Sequence, residues 1–203
     1  LCVLIDSSFL KTLDRDNLLS GYAEMVKHAL ISNMETYRAI LSFDLDRVDY
    51  TLLNQMVAQS VAVKERIVEE DPKEMGIRKA LNLGHTVGHA YESLSFRKGR
   101  PVLHGHAVAA GLVSELYLSY KKCGFPMENL SQVVHYLKKY YPPFFFNCDD
   151  YEALYELMTH DKKNEGGIIN FTLLSQVGEV QINQSVTKEK VLESFDFYRE
   201  SFG

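Results

Sequence analysis

Apolar residues recur at three- and four-residue steps along most of the chain, the period of helices that bury one face. From about Asp16 the series Leu18, Leu19, Tyr22, Met25, Val26, Ala29 and Leu30 predicts a first helix, with Ser20-Gly21 interrupting its start. A second helix is expected from about Tyr50 to Glu69, with Leu53, Met56, Val57, Ser60, Val61, Lys64 and Ile67 on one side. Asp71-Pro72 ends it, because the residue before a proline avoids the helical region. After a polar loop (Lys73 to Gly76), helices are expected over 80–96 and 104–122, the latter closed by Gly124-Phe125-Pro126. Two more are expected over 128–139 and 150–160, separated by Pro142-Pro143, and a last one over about 187–200. Residues 168–174 and 179–184 read as a β-hairpin turning at Gln176 to Gly178. Residues 1–14 read as a short extended segment and a turn. The predicted fold class is mostly α, with one small β-hairpin.

At 203 residues the chain can bury a sizeable core, and 1–203 is most simply a single helical domain. A net charge of −5 without any long basic run argues against nucleic acid as the main partner. No apolar run approaches membrane-spanning length and no signal peptide is visible, so no membrane partner is expected. Cys2, Cys123 and Cys148 are odd in number and lack a CxxC pair, which suits reduced cysteines of a cytoplasmic protein. The opening run LCVLI, without an initiator methionine, leads us to expect part of something longer.

Four histidines change this picture of a plain helical domain. LNLGHTVGHAYES (Leu81 to Ser93) and LHGHAVAAG (Leu103 to Gly111) carry His85, His89, His104 and His106 among glycines and alanines. His85 and His89 stand four apart and share a helix face. Imidazoles among small residues point to a metal or proton-transfer site; a catalytic zinc takes three protein ligands and keeps one position open. Two imidazoles with one carboxylate from Glu24, Glu74 or Glu92 would fit. Spacing does not choose between His85 and His89, and HExxH is absent. Glu24, Lys27 and His28 fall on one face of the first helix; taken alone, a solvated Glu–Lys pair is the simpler reading. Lys64 stands on an otherwise apolar stripe, where it needs an anion, a wet cleft or a path to the surface. The charges from Glu69 to Lys79 read as a solvated loop, and His160 to Gly167 as a turn whose lysines can reach an anion.

Five ordered motifs then carry a resemblance: IDSSFLKTL, SGYAEMVKHALI, the VKERIVEEDPKEMGIRKALNLGHTVGHAYES block, LHGHAVAAGL, and DKKNEGGIINFTLL before VGE. Almost the whole chain resembles the C-terminal domain of the 3-dehydroquinate synthase family. The resemblance implies the helical C-terminal domain of the dehydroquinate synthase-like fold, with the N-terminal NAD-binding domain absent from this chain. It implies that Glu24, His85 and His104 hold a divalent metal, zinc or cobalt. It implies that His89 acts in proton transfer, with Glu74 a further acid/base candidate. Lys27, Lys64, Arg78, Asn82 and Lys162 would grip the substrate, and Phe9, Leu10, Lys11, Thr12 and Ser20 would touch NAD. The implied reaction, of the shikimate pathway, converts 3-deoxy-D-arabino-heptulosonate 7-phosphate to 3-dehydroquinate and phosphate, with transient oxidation by NAD. A homodimer follows for the full-length enzyme, and inactivity for the isolated part. The family usually has glutamate after His104-Gly105, where this chain has His106, a candidate neighbour or competing ligand.

Three other readings make distinguishable predictions. A related sugar-phosphate cyclase or glycerol-type metal-dependent dehydrogenase would differ in substrate. A non-catalytic helical module would hold no stoichiometric metal. A stand-alone metal-dependent hydrolase would act without NAD.

Overall fold

The computed structural model of the chain describes residues 6–159 and 169–203. Within them run α1 (Arg15–Leu30), α2 (Met34–Ser42), α3 (Tyr50–Glu70), α4 (His85–Arg97), α5 (His104–Cys123), α6 (Met127–Tyr140), α7 (Tyr151–Thr159) and α8 (Lys188–Phe202). An antiparallel hairpin, β1 (Phe171–Gln176) and β2 (Glu179–Gln184), lies between α7 and α8. The mostly helical architecture with one small hairpin is the one expected from periodicity.

α5 forms the centre, packed by α1, α4, α6, α8 and β1. It is buried on nearly all sides from Ala107 to Ser119, as expected for a helix apolar around its circumference. Its first turns are small because backbones touch there. A Cβ on Gly111 would collide with the carbonyl of Gly84 and the backbone of Gly88, and one on Gly105 with the carbonyl of Ser20. Beyond α4 an aromatic cluster of Tyr91, Phe144, Phe146, Phe195 and Tyr198 joins the segment after α6 to α8. Fully burying one such ring contributes about 1.5–3 kcal/mol. The hairpin is tied in through its turn, where the Gly178 N–H donates to the Leu30 carbonyl at 2.8 Å.

Several expectations change. α1 runs unbroken through Ser20-Gly21: the Ser20 hydroxyl accepts from the Gly105 N–H at 3.0 Å, and Gly21 faces open space. The helix expected from residue 80 starts at His85. Ile77–Asn82 is a 3-10 turn, and Gly84 adopts φ +77°, a left-handed conformation that interrupts any continuous helix. α2 was not singled out by periodicity, being only nine residues long. Its cap is legible in retrospect, since the Asn33 side chain accepts from the Thr36 N–H at 2.9 Å. α3 buries only Leu53, Met56 and Ile67, so Lys64 is exposed rather than core-facing. The loop after α3 is not merely solvated charge. The Asp71 carboxylate accepts from the N–H groups of Met75, Gly76 and Arg78, which brings the following 3-10 turn back against α3.

Candidate metal centre

The two histidine-rich motifs place His85 and His104 at the first positions of α4 and α5. Neither helix is capped by its own preceding side chain. The α4 terminus is held from α5, where Glu115 accepts from Gly84 N–H at 2.7 Å and Val87 N–H at 2.9 Å. The α5 terminus is held from α1 by Ser20. Each histidine is therefore seated by a neighbouring helix, which satisfies N–H groups that a helix start leaves open.

Glu24 of α1 meets both. Its Oε1 lies 3.4 Å from His85 Nε2 and 3.6 Å from His104 Nε2, and its Oε2 accepts from Lys27 Nζ at 2.6 Å. Oε1 is buried and has no hydrogen-bond partner. Ligand atoms about 2.1 Å from a tetrahedral ion stand about 3.4 Å from one another, so these separations suit a shared cation better than direct hydrogen bonds. The ring nitrogens of His85, His89 and His104 also lie within 4.8 Å of one another, which offers His89 as a competing third donor. Glu24 is favoured because it alone of the two combines a partnerless buried oxygen with contacts to both imidazoles. The donor set fits a divalent ion of the zinc or cobalt kind.

Electrostatics distinguish the three groups. Burial works against the Glu24 carboxylate, but the His104 and His85 imidazoles and the Lys27 ammonium outweigh it and hold the carboxyl far below its usual range. Burial pushes His85 down, against the pull of Glu24. His104 is half exposed and is pushed up, chiefly by Glu24, against a smaller desolvation and with help from Glu92.

The remaining expected residues are placed as follows. His89 stands beside the pair, its ring centroid 5.4 Å from that of His85 and 5.7 Å from that of His104. Lys27 is buried, so the solvated Glu–Lys reading of this face is corrected: the small residues of α1 let the pair sink between helices. Glu74 has φ +58° and accepts from Asn82 Nδ2 at 2.9 Å, while Arg78 donates to the Pro72 carbonyl at 2.9 Å. Leu10 lines a cleft of about 210 Å³ that Glu24 also lines, whereas Phe9, Lys11 and Thr12 are exposed. Lys162 and its loop lie outside the described residues. His106 is turned away from the cluster, with Nε2 3.1 Å from the Asp16 carbonyl and its ring edge-on to Tyr141, so it is no competing ligand. Glu115 escaped the sequence reading, although a charge inside the apolar run Leu112 to Leu118 was a visible signal.

The chain matches the family model described as 3-dehydroquinate synthase C-terminal over residues 21–164. It is 76% identical over 203 residues to a 3-dehydroquinate synthase of Parabacteroides distasonis, covering 100% of this chain and 58% of that protein. To the 3-dehydroquinate synthase of Bacillus pumilus it is 36% identical over 203 residues, covering 99% of this chain and 55% of that one. The chain thus spans little more than half the length of these curated relatives. Among solved structures, a 2-epi-5-epi-valiolone synthase from Streptomyces hygroscopicus with NAD⁺ and Zn²⁺ bound is similar at a TM-score of 0.81 and 19% identity, over 97% of this chain and 55% of that one. A 2-deoxy-scyllo-inosose synthase complexed with carbaglucose-6-phosphate, NAD⁺ and Co²⁺ is similar at 0.77 and 20% identity, over 96% and 55%. At those identities the likeness is one of fold.

Proposed function

Since the chain belongs to the 3-dehydroquinate synthase C-terminal family, we propose that it is the metal- and substrate-binding half of a 3-dehydroquinate synthase. In this reading the whole protein is a phosphate-eliminating lyase that converts 3-deoxy-D-arabino-heptulosonate 7-phosphate to 3-dehydroquinate. It joins this domain to an NAD-binding half, works as a cytoplasmic homodimer, and is inactive when reduced to this part.

The observation that carries the reading is the convergence of His85 and His104 on a Glu24 oxygen that has no hydrogen-bond partner. Glu24, His85 and His104 are the residues that would hold a zinc or cobalt ion. When bound, the ion acidifies and polarises oxygens of the sugar acid, while NAD supplies the transient redox step. Lys27, on the other carboxylate oxygen, fixes the direction in which Glu24 points. His89 stands next to both ligand imidazoles and takes or returns a proton on a substrate oxygen. Glu74 is a second acid/base group, oriented by Asn82. Arg78, Asn82, Lys64 and Lys162 hold the carboxylate, hydroxyls and phosphate of the substrate, so that one pose persists through successive steps. Phe9 to Thr12 and Ser20 meet NAD from the dinucleotide-binding half.

The test is phosphate release from the heptulosonate phosphate by the protein joined to its NAD-binding half, supplied with NAD⁺ and zinc or cobalt. Turnover should disappear in Glu24→Gln, with metal affinity falling at least 100-fold, equivalent to about 2.7 kcal/mol. Metal-loaded, NAD-bound protein that leaves this substrate untouched would overturn the assignment.

A further inference from the structure

The two ligand imidazoles are anchored in different ways. His85 is nearly buried, and its Nδ1 lies 3.1 Å from the Leu83 carbonyl, a backbone acceptor that no substitution removes. His104 keeps 45% of its side chain exposed, and its Nδ1 lies 3.2 Å from a carboxylate on another helix, Oε2 of Glu92. Glu92 falls on the same face of α4 as His85 and His89, at steps of seven and three residues. One helix face therefore carries a ligand, a neighbouring imidazole and the anchor of the ligand that α5 supplies.

We propose that Glu92 is a positioning residue of the metal centre, holding the His104 ring by Nδ1 so that Nε2 is presented toward Glu24. This deepens the metal-centre reading and rests on it. An imidazole that donates from Nδ1 offers a lone pair at Nε2, the form a cation needs. With the Leu83 carbonyl beside Nδ1 of His85 in the same way, Nε2 is the ring atom that each imidazole turns to Glu24 Oε1, at 3.4 and 3.6 Å. The geometry divides the work among three carboxylates: Glu24 converges with both imidazoles, Glu92 stands behind one of them, and Glu74 turns to Asn82.

The experiment uses cobalt(II) as probe on the protein and its Glu92→Ala and Glu92→Gln variants, reading the dissociation constant and the visible absorption of the bound ion. Glu92→Ala is expected to weaken cobalt binding 10–100-fold and to change the spectrum, with little change in the melting temperature of the metal-free protein. Glu92→Gln keeps an acceptor oxygen at the same reach and should recover most of the affinity. Unchanged affinity and spectrum in Glu92→Ala would overturn the proposal. So would a spectrum that lost an oxygen ligand in both variants without recovery in Gln, because Glu92 would then be a ligand itself. If the unaltered protein took up no cobalt, the metal-centre reading would fall and this role with it. Normal uptake with no effect of Glu92 would defeat only the positioning role.

Discussion

Glu115 and Glu24 are two carboxylates in the same helical layer, and their surroundings differ in one respect. Glu115 is fully buried on the central helix, yet both of its oxygens accept backbone N–H groups at the start of α4. It completes a helix terminus whose dipole favours a negative charge. Glu24 is less buried, with 30% of its side chain exposed, but only one of its oxygens has a hydrogen bond. The other faces two imidazoles at distances too long for a good bond. Depth of burial therefore does not separate a structural carboxylate from a candidate ligand. What separates them is an oxygen left without a donor where other donor atoms converge.

Replacing Glu115 tests the structural half of that contrast and should give the largest stability change. Glu115→Ala leaves two buried N–H groups at the start of α4 without their acceptor. The expected loss is about 3–5 kcal/mol, measurable as a lowered urea midpoint of the metal-free protein. Glu24→Gln keeps an acceptor for Lys27 and should shift the same midpoint far less, while it removes metal binding. Equal destabilisation by the two variants would erase the distinction.

His28 sharpens the contrast, because its Nε2 is also buried and without a hydrogen-bond partner, yet among the described residues it belongs to no group of converging metal-binding side chains. Its Nδ1 lies 2.7 Å from Ser60 Oγ, and around it are Met25, Ile40, Met56 and Val63. Burial pushes it down to about 4. Lys27 beside it, Lys64 from α3 and His85 from α4 also oppose its proton, whereas Glu24 favours it. The unfolded chain takes up that proton near pH 6.5 and the folded chain only near pH 4, so stability is complete above pH 6.5 and falls through this window. By pH 5 the loss is about 2 kcal/mol. Urea unfolding between pH 7.5 and 5 checks it: His28→Gln should flatten the dependence without changing cobalt affinity at pH 7.5. A dependence unchanged in that variant would show that other groups carry it.

Much of this arrangement was legible in the chain, and the parts that were not share a cause. Among the described residues, periodicity located seven of the eight α-helices and the hairpin, because one-sided burial repeats within each element. Glycines and alanines around the histidines announced a crowded junction, and Gly111 against Gly84 is that junction. What stayed hidden depends on which partner an element meets. Lys27 reads as surface charge until α1 is seen to be packed by α3 and α5. Lys64 reads as part of an apolar, core-facing stripe until α3 is seen to leave most of its faces open. The resemblance named Glu24, His85 and His104 together, but Glu92 and Glu115 as anchors required the crossing of α4 and α5.

Ser20 gives the smallest and most local test of how the histidine-bearing helices are seated. Its hydroxyl accepts from the Gly105 N–H, one residue beyond His104, at a point where α1 and α5 touch so closely that Gly105 has no room for a side chain. Ser20→Ala removes one acceptor from a helix terminus, a change that typically costs about 1 kcal/mol. The substitution creates no clash and no charge, so the fold should remain intact. The seat of His104 should loosen through its backbone, whereas Glu92→Ala loosens the ring directly. Cobalt affinity is therefore expected to fall by less than in Glu92→Ala, about 2–5-fold, alongside the small drop in urea midpoint. A midpoint drop with no change in cobalt affinity would show that Ser20 secures the packing of α1 against α5 without placing the ligand, and that the His104 ring is governed by Glu92 alone.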